Sequence, residues 1–203
     1  MLILALAVAV YLFTFETSAL AIFPTVLLVS GVSMEVFLER KKGGAVEVAD
    51  DGFEPRTLKI VGFYAAIGLL GMFLTGYAIK FVPGLETQTV LASSPINGML
   101  YSVLMAIAEE QFFRGFLTDW LLSHLKNAIM AIVASAGVFC AYHFARYGTS
   151  PNALLYVFGG GLILAWVAFK SKRISPTMIS HAGNNMFAYL GQIVPRMVNL
   201  LCR

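Results

Sequence analysis

Charged side chains are scarce in this sequence. Its 203 residues carry 14 Lys and Arg and 11 Asp and Glu. That makes 12% charged, where a soluble domain carries about a quarter. Hydrophobic residues reach 59%, and the mean hydropathy is +0.79. Such a chain cannot hide its apolar side chains inside one globule, so lipid has to solvate much of its surface. The net charge is only +3, with basic residues gathered at segment ends. This argues against a nucleic-acid partner and for membrane anchoring. Cysteine is nearly missing as well. Cys140 and Cys202 both lie in apolar surroundings and read as buried thiols, not a disulfide. There is no internal repeat, which removes the repeated halves usual in transporters. There is also no HExxH, the helical zinc signature of many metalloproteases.

What is present is a series of apolar runs of membrane-crossing length, for which about 20 helical residues are needed. Residues 1–15 and 18–38 form two runs divided by Glu16, and no basic region precedes the first, so they read as two helices, not a cleaved signal peptide. Residues 60–79, 97–118, 128–145, 152–169 and 175–200 supply five more. The expected fold is an all-α polytopic transmembrane bundle of about seven spans, with six or eight as alternatives. It divides into two N-terminal helices (1–38), a polar cytoplasmic loop (39–59) and a transmembrane core (60–203).

Loop charge orients the spans. The 39–59 segment carries Arg40, Lys41, Lys42, Arg56 and Lys59, and the 170–173 turn carries Lys170, Lys172 and Arg173. The 81–96 loop has no Lys or Arg. Positive loops stay inside, which puts the amino terminus in the cytoplasm and the carboxyl terminus outside. Trp120, Tyr147 and Trp166 fall near expected interfaces, and Gly159, Gly160 and Gly161 read as a close helix–helix contact.

Against this apolar background six polar residues stand out: Glu109, Glu110, Arg114, His143, His181 and Asn185. An ionisable group at membrane depth costs several kcal/mol, so it persists only with a partner or a task. A hairpin turn at Lys126–Asn127 has Glu109 and His143 equally far from it along the chain, so the two reach the same depth. Glu110 and Arg114 are i,i+4 and can form an ion pair, while Glu109 points about 100° away around the helix. Glu109 with His143 therefore reads as a water-activating base pair and Glu110–Arg114 as the supporting clamp. His181 and Asn185, also i,i+4, present two donors of the kind an oxyanion needs. His124, beside Lys126, reads as interfacial.

The motifs EExxxR (Glu109, Glu110, Arg114), FxxxH (Phe139, His143) and HxxxN (His181, Asn185) resemble those of the CPBP family. That family holds the CAAX prenyl endopeptidases of the Ras-converting type and bacteriocin-processing homologues. The resemblance covers about residues 95–190 and keeps the family's order of motifs. It implies a glutamate-dependent intramembrane endopeptidase in which Glu109 and His143 activate water and His181 and Asn185 form the oxyanion hole. The implied partner is a membrane-associated protein or peptide substrate, and the implied location is the cytoplasmic membrane. The chain is compact for the family, which sets prenylated substrates in question.

Three other readings compete. No cofactor is expected, but one Glu and two His match the ligand count of catalytic zinc, so a zinc-dependent form of the same protease is an alternative. Cys140, i,i+3 from His143, offers a thiol nucleophile. A non-catalytic scaffold would use the polar residues to seat a partner helix.

Overall fold

A computed structural model describes residues 26–27, 29–34, 55–81 and 95–201 of the chain. The expected span at 1–15, most of 18–38, most of the 39–59 loop and Cys202 lie outside the described residues.

Every regular element among the described residues is helical. Residues 26–27 and 29–34 are helical, and after them come α1 (Pro55–Ile79), α2 (Pro95–Glu110), a π-helix (Gln111–Leu117), α3 (Thr118–Leu125), α4 (Ala128–Tyr147), α5 (Pro151–Ser171) and α6 (Ser175–Leu201). The starts and stops follow local chemistry. Pro55 opens α1, so the helix begins inside the expected 39–59 loop; proline's fixed φ suits a first helical position. Asn127 caps α4, its Oδ1 accepting from the Met130 N–H at 3.1 Å. Lys126 closes α3 in the left-handed region at φ 52°, and Lys172 closes α5 at φ 58°. The α3–α4 hairpin therefore turns at Lys126–Asn127, where the sequence places it.

Among the described residues the continuous α2–π–α3 rod is the one irregular element. The carbonyl of Phe113 accepts from the Thr118 backbone N–H, five residues on, and from the Thr118 hydroxyl at 2.7 Å. Thr118 Oγ1 also lies 2.8 Å from Ser135 Oγ on α4. The wide turn is thus tied to its neighbour by hydroxyls that the membrane interior would otherwise leave unpaired.

Helix α2 packs on α6, α4 on α5, and α1 lies across both α5 and α6. The buried stripe of α1 is Ala65, Gly68, Met72 and Ile79, spaced three, four and seven residues apart along one helix face. Its opposite side leaves Phe63 and Phe73 more than 60% exposed. Inside the bundle, by contrast, Glu109, Glu110, Arg114, His143 and His181 are all buried. Polar groups inside and large apolar groups outside is the arrangement that lipid solvates. Arg56–Ile79 and Pro151–Ser171 are long and apolar enough to cross a membrane, and Ala128–Phe144 is a shorter apolar helix. Helical residue Gly31 sits so near Phe112 that an added Cβ would come within 3.0 Å of its backbone, which places Gly31 against the π-helix.

The glycine run in α5 is a packing contact on two sides. A Cβ at Gly159 would meet Thr75 of α1 at 2.7 Å, and one at Gly161 would meet Ala136 Cα of α4 at 3.2 Å. Small residues let the two backbones approach, as the sequence suggests.

Candidate active site

Three rods supply the polar cluster. Glu109, Glu110 and Arg114 come from the α2–π junction, His143 from α4, and His181 from α6. Glu110 is fully buried and its Oε1 accepts from Arg114 Nη1 at 2.9 Å and from His181 Nδ1 at 2.8 Å. Arg114 also donates through Nη2 to the Gly161 carbonyl at 3.2 Å, and its guanidinium lies 4.3 Å over the Phe139 ring. The charge is thus held by a carboxylate, a carbonyl exposed by a glycine, and an aromatic face.

Glu109 occupies the middle. Its Oε2 is 3.9 Å from His143 Nε2 and 3.7 Å from His181 Nε2. His143 Nδ1 lies 2.9 Å from the Phe139 carbonyl, which can only accept, so Nδ1 carries a proton and Nε2 is aimed at Glu109. Phe139 serves the cluster twice. Its carbonyl orients His143, and its ring lies edge-on to His143 at 4.4 Å and to His181 at 5.9 Å.

Asn185 reaches a different neighbour from His181. Its Nδ2 donates to the Ser102 carbonyl on α2 at 3.1 Å, two helical turns from Glu109 along α2. Tyr147, expected in an interfacial belt, stacks parallel to His143 at 5.9 Å. His124 is exposed and lies over Trp120, away from the cluster. The Cys140 thiol donates to the Leu154 carbonyl at 3.4 Å. Among the described residues no three His, Cys, Asp or Glu side chains are disposed to hold a metal ion.

Sequence reasoning passed over the pair formed by Tyr156 and Asn184, where the phenol donates to Asn184 Oδ1 at 2.7 Å. The signal was the doubled amide in HAGNN, of which only the second falls on the i+4 position after His181.

The motif residues from Glu109 to Asn185 all lie within one matched segment. Residues 91–187 match the family described as type II CAAX prenyl endopeptidase Rce1-like. Residues 91–187 are thus similar to the Rce1-like family. Over 135 residues the chain is 25% identical to the uncharacterized protein YyaK of Bacillus subtilis (strain 168), covering 60% of this chain and 45% of that protein. The chain thus spans less than half the length of that relative. No solved structure matches. The Rce1-like family is a family of membrane proteases, and the buried Glu–His contacts within this matched segment are compatible with that chemistry.

Proposed function

We propose that this chain is a multi-pass, glutamate-dependent intramembrane endopeptidase that cleaves a membrane-associated protein or peptide. The observation that carries the reading is the carboxylate of Glu109 lying between the Nε2 atoms of His143 and His181. A water about 2.8 Å from both Glu109 Oε2 and His143 Nε2 would subtend about 90° between them, near its own bond angle. Both atoms are then acceptors, and both O–H bonds of the water are engaged.

Glu109 takes one proton as the water oxygen bonds to the scissile carbonyl carbon. The carbonyl oxygen becomes an oxyanion. His181 in its doubly protonated form donates through Nδ1 to Glu110 and presents Nε2–H to that oxygen. Asn185 spends one N–H on Ser102 and has the second for the oxyanion. The C–N bond then breaks as the proton held by Glu109 passes to the leaving nitrogen. Glu110 and Arg114 keep His181 in place throughout.

Seven spans, a cytoplasmic 39–59 loop and residence in the cell membrane complete the proposal. The polar interior and apolar exterior support it, as does the placing of basic residues at helix ends. The substrate class follows the family: a carboxyl-terminal tail or a precursor peptide at the membrane.

The test compares membranes of cells producing the unaltered chain, Glu109→Gln or His143→Ala. Loss of the same cleavage products in both variants, with precursors accumulating, is the expected result. Full cleavage by both variants ends this mechanism. Zinc bound stoichiometrically to active protein, with activity lost on chelation and restored by zinc, would replace it with the metal-dependent form.

A further inference from the structure

On α6, His181 is followed by two adjacent amides that lie on either side of it. With 100° per residue, Asn185 sits about 40° to one side of His181 and Asn184 about 60° to the other. Asn185 turns to α2 and donates to Ser102, while Asn184 turns to α5 and accepts from Tyr156. The Tyr156 ring is itself held against α1, where a Cβ at Gly76 would meet its Cε2 at 3.2 Å. The next residue of α5, Val157, packs with Phe113 and Phe139 beside the catalytic cluster.

Because the phenol occupies Asn184 Oδ1, the amide is fixed with its NH2 group turned away from Tyr156. That NH2 has no acceptor among the described residues. Asn184 is half-buried, and its Nδ2 is not among the buried polar atoms without a partner, so the NH2 faces open space where a ligand can reach it. An extended peptide lying along the side of α6 that carries His181 has the opposite need. Its backbone carbonyls lose water on entry and find no substitute in lipid.

We propose that Asn184 is a substrate-binding residue, its NH2 donating to a backbone carbonyl of the bound peptide next to the scissile bond, with Tyr156 as the positioning residue. The proposal rests on the endopeptidase reading above. Asn184 and Asn185 then address different carbonyls, one on each side of His181. Asn184 binds the ground state and the transition state equally, which puts its contribution in KM and not in kcat.

The experiment uses the full chain in proteoliposomes with two probes: an internally quenched peptide ending in a farnesylated CAAX sequence, and total membrane protein from the producing cells. Asn184→Ala should raise KM about tenfold with kcat within about twofold of the unaltered chain. Tyr156→Phe should raise KM by less, and the double variant should be no worse than Asn184→Ala alone. Lowered thermal stability with both kinetic constants unchanged would make the pair a structural tether and overturn the proposal. A fall in kcat at unchanged KM would move Asn184 into the oxyanion hole and overturn it equally. No cleavage of either probe that Glu109→Gln abolishes removes the endopeptidase reading and this proposal with it. Glu109-dependent cleavage with normal KM in Asn184→Ala removes the proposal alone.

Discussion

His181 Nδ1 lies 2.8 Å from Glu110 Oε1, joining residues 71 positions apart across two helices. The carboxylate that accepts from His181 is the same one that accepts from Arg114. Glu110 therefore links the buried cation to the imidazole that reaches Glu109.

Arg114→Ala leaves Glu110 buried with its cation gone. Breaking a buried pair from one side costs about 3–5 kcal/mol. The expected result is a large loss of unfolding stability in detergent. Arg114→Met combined with Glu110→Gln should recover most of that stability while activity stays absent, because His181 loses the carboxylate that orients it. Equal stability of Arg114→Ala and the unaltered chain would show that Glu110 is not held as described.

Two glycines one helix apart make a contrast. At Gly161 a Cβ would meet Ala136 Cα at 3.2 Å and Phe139 Cδ1 at 3.3 Å, whereas at Gly137 it would meet nothing within 4 Å. Gly161→Ala should destabilise by about 1–3 kcal/mol through overpacking, and should lower activity by shifting the carbonyl that holds Arg114. Gly137→Ala should be neutral or stabilising by up to about 1 kcal/mol, since alanine favours helix. Thermal unfolding of the two purified variants reads both.

Phe139→Leu keeps the carbonyl that orients His143 but removes the ring that packs on Arg114, His143 and His181. Stability should fall by less than about 1.5 kcal/mol for a near volume-conserving exchange. Cleavage should fall more, by about ten- to a hundredfold, because the two imidazoles lose their common wall. A variant with normal turnover would show that the imidazoles are positioned by hydrogen bonds alone.

Thr118 and Ser135 can be tested as a pair. Thr118→Val, Ser135→Ala and the double variant should show a coupling of about 0.6 kcal/mol, the average for hydrogen bonds between membrane helices. Thr118→Val alone should cost more than Ser135→Ala, because it also removes the hydroxyl bonded to the Phe113 carbonyl in the π-helix. Equilibrium unfolding of the four proteins measures it.

Much of the core was legible because its periodicity and composition are local. Residues 60–79, 128–145, 152–169 and 175–200 each lie within one observed helix, and the hairpin turn falls at Lys126–Asn127. Equal spacing about that turn anticipates the approach of Glu109 to His143. The π-helix was not legible, since QFFRGFL carries no signal that separates it from regular helix, and its widened turn is stabilised by a hydroxyl bridge to α4. The partner of Asn185 was also hidden, because Ser102 offers its backbone carbonyl, a group every residue possesses.

The sequence by itself determined that this is an apolar helical chain with two carboxylates, one guanidinium and two imidazoles set among its helices, in an order shared with a protease family. Composition and one-dimensional spacing suffice for that. Only the tertiary structure decided which imidazole meets which carboxylate and where each amide turns. The reason is the rotation of α6 about its own axis. That rotation is set by close packing against α1, where Ser180 donates to the Ala65 carbonyl beside Gly68 and Gly183 lies against Leu69. Contacts between residues more than a hundred positions apart leave no trace in the local pattern of either helix.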